Sequence, residues 1–235
     1  MRRLALVAAA LAGFGCSPGG RPSPDEVAVR PSEVLDFAAL YGTNCAGCHG
    51  MEGRGGPAVA LGDPVYLALA GDAVLQKVTA GGVPSTAMPA FARSAGGMLT
   101  DAQVDALVRG MRSRWGRPGV LHGVDAPPYA APRPGDATRG AKVYDTYCSS
   151  CHGAAGRGGA RGSSIVDGSF LALVSDQALR TAVLVGRPAL GAPDWRGNVP
   201  GQPMSADDVT DVVAWLAAQR PEFPGQPYPG GGVRR

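Results

Sequence analysis

The 235-residue chain predicts an all-α protein built from two tandem copies of one unit joined by a Pro- and Gly-rich linker. Three observations carry that expectation. First, "YGTNCAGCHGMEGRGG" (41–56) recurs as "YDTYCSSCHGAAGRGG" (144–159) at an offset of 103. After a one-residue insertion the match continues at 104, pairing Asp63, Leu67, Asp72, Gly82 and Pro89 with Asp167, Leu171, Asp176, Gly186 and Pro193. Second, each copy closes in a segment with helical grammar. Third, neither copy contains the alternating pattern of a strand.

The start, "MRRLALVAAALAGFGC", places two arginines before an apolar run too short to span a bilayer and then small residues ending at Cys16. This predicts a signal peptide over 1–15 and export to the periplasm or cell envelope. Cys16 follows directly, which suggests a lipidated first residue and a membrane lipid anchor. Gly13 stands where a lipobox has Leu, so an ordinary cleavage site with an incidental Cys16 is the competing reading. Residues 16–30, with several Pro, Gly and Ser, suit a tether.

The first copy is assigned to 31–116. A helix is expected from Ser32, over "SEVLDFAALYG", ahead of the cysteine motif. The closing helix starts at "LTDAQVDALVRGM", where Thr100 and Gln103 form a capping box, Leu99 and Val104 a hydrophobic staple, and Val104, Leu107, Val108 and Met111 one apolar face. Residues 117–134 form the linker. The second copy, 135–220, opens on a helix from Asp136 and closes on one capped by Ser205 and Asp208, with Met204 and Val209 as staple and the face Val209, Val212, Val213 and Leu216. Residues 221–235 are expected to form a disordered tail.

Composition limits the partners. The 36 Gly and 21 Pro residues imply long irregular loops. Copies of this size have thin cores, which a large apolar ligand would help to fill. Without Arg2 and Arg3 of the signal, 20 Lys+Arg face 19 Asp+Glu. That balance and the absence of a basic stripe argue against nucleic acid as a partner.

Cys45-Ala-Gly-Cys48-His49 and Cys148-Ser-Ser-Cys151-His152 are both C-x-x-C-H, the attachment motif of c-type haem. Two thiols three positions apart can add to the two vinyl groups of one porphyrin, which delivers the adjacent His to the iron. A four-Cys zinc site would need the pairs to converge across a whole copy, although each pair has its own His. Thioredoxin-like chemistry would need a βαβ context that is missing. The motifs therefore predict two covalently bound haem c groups.

With these motifs, the Met88-Pro89-Ala90-Phe91 loop and the closing helices, residues 31–220 resemble the class I cytochromes c, specifically exported two-haem members with tandem domains. The resemblance implies a small helical bundle around each haem, His49 and His152 as proximal ligands, and Met88 as the sixth ligand of the first iron. Pro89 suits that role, since the residue before Pro is held extended.

The second copy departs from the pattern, because Ala192 falls where Met88 stands. Met204 is the nearest sulfur, but the repeat aligns it with the staple residue Leu99. Met204, the linker His122, water, or no sixth ligand all remain open for the second iron. In the family the carbonyl of a Pro shortly after the motif orients the haem His; Pro57 is the candidate for it, and its counterpart is Ala160. Arg54 and Arg157 are candidates for the haem propionates or, alternatively, solvated loop residues. Phe91 and Trp195 are candidates to line the pockets.

The function expected is electron relay between a redox donor and a redox acceptor, with no bond chemistry and no small-molecule substrate. The first haem would hold the higher potential. A haem enzyme or gas sensor using the open position of the second haem is the rival reading. An accessory subunit of a larger respiratory complex is a third.

Overall fold

A computed structural model describes residues 29–84 and 86–221. The expected signal segment, Cys16, the tether up to residue 28 and the tail from residue 222 fall outside the described residues. The chain divides into two units, residues 1–34 and 35–235. Within the first, the described residues hold a single 3-10 turn, Pro31–Glu33.

The second unit is helical, and its described residues contain no strand, only the isolated bridges Ala92 with Leu99 and Arg187 with Ala192. In the first copy the helices are α1 (Phe37–Asn44), α2 (Ala46–His49), α3 (Pro64–Gly81) and α4 (Asp101–Trp115). In the second they are α5 (Ala137–Tyr147), α6 (Ser149–His152), α7 (Gly168–Leu173), α8 (Asp176–Val185) and α9 (Ala206–Ala217). No helix among the described residues is long and apolar enough to cross a membrane.

The first helix begins later than Ser32. Asp36 is extended and its side chain accepts the Ala39 amide, so it caps α1 and the helix runs from Phe37. The helices between motif and ligand loop have the same plan in both copies. Gly71, with φ 71°, breaks α3 in the middle. Its counterpart Ser175 is extended and caps α8, so one broken helix in the first copy is two helices in the second. Both closing helices carry the capping boxes read from sequence, Thr100 with Gln103 and Ser205 with Asp208. Their apolar faces are buried throughout.

The opening and closing helices of each copy pack together, α1 on α4 and α5 on α9. The two copies fill this crossing differently. In the first, the Phe37 ring lies against Gly110, where an added Cβ would meet ring atoms at 2.1 Å. In the second, the small residue has moved to the other helix: Gly140 replaces Phe37 in the repeat, and Trp215 replaces Gly110. The Trp115 and Trp215 ring tips nevertheless approach equivalent glycines, Gly53 and Gly156. Tyr41 packs edge-on to Trp115 at 4.9 Å, and Tyr144 stacks on Trp215 at 4.4 Å.

The α5–α9 crossing also holds a buried carboxylate. Asp211 accepts from Arg133, from Arg139 and from the Asp136 amide. Burial alone would raise its carboxyl, but these donors outweigh it and hold the group below its ordinary value. A depressed folded pKa contributes stability above the unfolded value of roughly 4 and loses it as pH falls through the folded one. Asp211→Asn is therefore expected to cost about 2 kcal/mol at neutral pH and to flatten the acid limb of the stability profile. Urea unfolding of the two proteins at pH 7 and pH 3 checks this, since the difference between them must shrink at pH 3.

Candidate functional site

Each C-x-x-C-H segment is a tight helical turn at the end of the opening helix. Cys45 ends α1 and starts α2, and Cys148 does the same for α5 and α6. The bend is braced identically: the Tyr41 hydroxyl donates to the Gly50 carbonyl at 2.9 Å and the Tyr144 hydroxyl to that of Gly153 at 2.5 Å. None of the four motif cysteines is joined in a disulfide. Burial first, and the neighbouring cysteine second, pushes Cys45 and Cys148 up to about 11.

The histidines are oriented by the backbone. His49 Nδ1 lies 2.8 Å from the Val59 carbonyl, and His152 Nδ1 lies 2.8 Å from that of Ser163. A carbonyl can only accept, so Nδ1 carries the hydrogen and Nε2 keeps its lone pair. Burial lowers the His49 pKa, with the Val59 carbonyl opposing, which also favours the neutral ring. His49 Nε2 is buried and has no hydrogen-bond partner. A buried polar atom left unpaired is costly, and a fixed Nδ1–H with a free Nε2 is the arrangement of a metal-ligating imidazole. The residues present therefore fit a covalently held haem whose iron takes Nε2.

These two carbonyls correct the expectation at Pro57. The orienting group of the first copy is the Val59 carbonyl, and in the second copy, where Ala160 replaces Pro, the Ser163 carbonyl takes that role. Ser163 is the offset-104 counterpart of Val59, so the insertion lies before it. A backbone carbonyl has no residue-type signature, and the shift in offset was the one signal that could have found it.

The ligand loops share a frame. The Val83 amide donates to the Met88 carbonyl at 3.0 Å, and the Arg187 amide donates to that of Ala192 at 2.9 Å. Gly82 and Gly186 turn these loops with φ of 68° and 66°, where a Cβ would lie 2.7 Å from the Met88 and Ala192 carbonyl oxygens respectively. Ala192 thus occupies the Met88 position in space as well as in register.

Of the other first-copy methionines, Met51 and Met98 project into solvent and Met111 lies in the core face of α4. Met204 takes the place of Leu99: its amide donates to the Trp195 carbonyl at 3.0 Å, as that of Leu99 does to Phe91 at 2.8 Å. Its side chain is buried, with the Asn198 amide nitrogen 3.9 Å from its sulfur. His122 is exposed on a turn of the linker.

The arginines are placed differently. Arg54 closes its fork on the Gly62 carbonyl, from Nε at 3.1 Å and Nη2 at 2.6 Å, and so braces its own loop. Arg157 is exposed, and its side chain bonds no described residue. Phe91 is half-buried against the core, and Trp195 is fully buried under the Arg196 guanidinium, 4.9 Å from its ring centroid. Arg196 is in turn bonded to Asp194.

A family model described as "Cytochrome C oxidase, cbb3-type, subunit III" matches residues 32–109 and 135–216, more than half of the chain in two blocks. Among curated proteins, a "Cytochrome bc1 complex cytochrome c subunit" of Mycobacterium tuberculosis is 28% identical over 220 residues, covering 91% of this chain and 74% of that protein. One of the same description from Corynebacterium efficiens is 27% identical over 208 residues, covering 84% and 66%. Among solved structures, dihydro-heme d1 dehydrogenase NirN is similar at 30% identity and a TM-score of 0.30, over 42% of this chain and 20% of that one. The Kuenenia stuttgartiensis reducing HAO-like protein complex Kustc0457/Kustc0458 is similar at 19% identity and a TM-score of 0.46, over 81% and 99%.

Proposed function

Because the chain belongs to the family of c-type cytochromes described as cytochrome c oxidase, cbb3-type, subunit III, whose members hold haem c covalently, we propose that it binds two haem c groups, one in each tandem copy, and relays electrons between protein partners. One observation carries the reading above the others: both C-x-x-C-H turns present a histidine pinned at Nδ1 by a register-equivalent carbonyl. When bound, haem c supplies a reversible one-electron couple. Cys45 with Cys48, and Cys148 with Cys151, would hold each group by thioether bonds, and His49 and His152 would present Nε2 to the iron. Met88 would supply the sixth ligand in the first copy and so hold that site at the higher potential. Ala192 offers no ligating atom, and in our reading Met204 keeps its place in the core.

The names of the mycobacterial and corynebacterial relatives suggest the setting, a subunit of a bc1-type respiratory complex. The signal-like first 15 residues and Cys16 support attachment at the outer face of a membrane. Asp194 and Arg196, which follow Ala192 in the ligand loop, are tied to each other. Neither is free to relay a proton, which disfavours a haem enzyme.

Intact mass and pyridine haemochrome assay of the purified chain are expected to give two haems, and Cys148→Ser with Cys151→Ser is expected to leave one. A single haem in the parent protein would refute the tandem reading. Carbon monoxide is expected to bind slowly or incompletely to the reduced protein, because Trp195 and Met204 are buried around the ligand loop. Rapid, stoichiometric binding to one haem would restore the sensor or enzyme reading.

A further inference from the structure

The linker is read from sequence as a Pro- and Gly-rich connection between the copies, yet it is built into the fold. Arg180 on α8 is 1% exposed. Its guanidinium donates to the Pro128 carbonyl from Nε at 3.1 Å and Nη2 at 2.7 Å, and to that of Tyr129 from Nε at 3.0 Å. Nη1 donates to the Thr210 hydroxyl of α9 at 3.0 Å. Every one of these acceptors is neutral. Gln177 Nε2 adds a further bond to the Tyr129 carbonyl at 2.9 Å.

The repeat shows that this arrangement is particular to the second copy. The counterparts of Arg180 and Thr210 are Gln76 and Asp105, which bond to each other across α3 and α4 at 3.1 Å and reach no linker. The second copy thus places a positive charge on the helix beside the linker, with a hydroxyl where the first copy has a carboxylate. A guanidinium buried without a carboxylate is tolerated where several strong acceptors converge on it, and here two of them are linker carbonyls.

The side chain of Tyr129 reaches the first copy, although its hydroxyl also accepts from Thr181 of α8 at 3.4 Å. Its ring meets the buried Tyr66 of α3 edge-on, with centroids 6.1 Å apart and planes at 71°. Helices α3 and α8 also touch directly. A second tie joins the linker to the ligand loop of the second copy, where Arg196 Nη1 reaches the Val120 carbonyl at 3.3 Å. Left free, an 18-residue linker such as 117–134 would have a root-mean-square span of roughly 20–25 Å.

We infer that Tyr129 is a two-sided pin, its backbone gripped by Arg180 of the second copy and its ring by Tyr66 of the first, which holds the two copies in one fixed arrangement and thereby sets the distance between their redox sites. The last clause rests on the two-haem reading. Arg180 and Tyr129 are on this view positioning residues, remote from the Cys and His ligands.

The test is pulsed EPR distance measurement between the two ferric haems of the purified full chain. The parent protein and Tyr129→Phe, which keeps the ring on Tyr66, are expected to show one narrow distance. Tyr129→Ala and Arg180→Met are expected to broaden it, with optical spectra and both potentials unchanged. An equally narrow distance in Tyr129→Ala overturns the pin, even if Arg180→Met fails to fold. Small-angle scattering separates the pin from the haem count. If the parent holds one haem, the two-haem reading fails, while a larger radius of gyration for Tyr129→Ala still supports the pin and an unchanged one removes it.

Discussion

Ala192→Met is expected to create a second Met-iron charge-transfer band, whereas Met88→Ala is expected to abolish the band present in the parent protein. The argument rests on the frame of the loop rather than on sulfur alone. Both loops are turned by a glycine with positive φ, closed by a hydrogen bond from the Val83 or Arg187 amide to the carbonyl of residue 88 or 192, and followed by Pro89 or Pro193. A methionine at 192 therefore starts from the same backbone geometry as Met88, with the following Pro again favouring the extended conformation. Axial ligands command a range of about 0.8 V in haem potential. Adding a sulfur should accordingly be among the largest redox effects open to a single substitution, raising the lower potential toward the higher. Met204→Leu is the control and is expected to leave the spectrum unchanged, because Leu is the residue that the first copy carries at that position. A band that survives Met88→Ala, or one that disappears in Met204→Leu, would mean that a different sulfur is the ligand. Optical redox titration of the three variants reads all of these outcomes.

The features legible in the sequence are those that side chains announce. The capping boxes at Thr100 and Ser205 and the faces Val104 to Met111 and Val209 to Leu216 are patterns of residue type, and the closing helices follow them. The repeat likewise predicted that residue 192 stands in for Met88. What stayed hidden is carried by backbone atoms or by exchange between partners. Val59 and Ser163 act through carbonyls, so nothing about Val or Ser marks them. The break in α3 reads as a single glycine, Gly71, and only its counterpart Ser175 shows that two helices meet there. The linker's Pro and Gly content signals a loop but not its docking, since the feature that docks it is an arginine about 50 residues further along. The Arg54 fork has the right chemistry for a propionate, yet a carbonyl in its own loop lies within reach.

The exchange of large and small residues at the helix crossings leads to the second large effect, Gly140→Ala. Glycine inside a helix is less favourable than alanine by about 1 kcal/mol, so propensity alone predicts stabilisation. Packing predicts the opposite. A Cβ at Gly140 would lie 2.0 Å from the Asp211 carbonyl oxygen and 2.6 Å from its carbon, both main-chain atoms of the helix crossing above. Overpacking costs roughly 1–3 kcal/mol where neighbours can shift, and more where they cannot. A net loss of at least about 2 kcal/mol is expected, which for a domain of this size lowers the unfolding midpoint by roughly 4–8 °C. Two other glycines calibrate the argument. Gly42, in α1, has nothing within 4 Å of an added Cβ, so Gly42→Ala is expected to gain about 0.5–1 kcal/mol. At Gly110 the obstacle is the Phe37 ring, which can rotate away at the cost of its packing, so Gly110→Ala should destabilise and Phe37→Ala should relieve much of the clash. Trimming the side chain opposite Gly140, with Trp215→Ala, should give no such relief, because the obstacle is the Asp211 carbonyl. Double-mutant cycles at the two crossings, followed by circular dichroism, measure the difference. Equal coupling energies at both would mean that the α5–α9 backbones can move apart and that the close approach at Gly140 is not fixed.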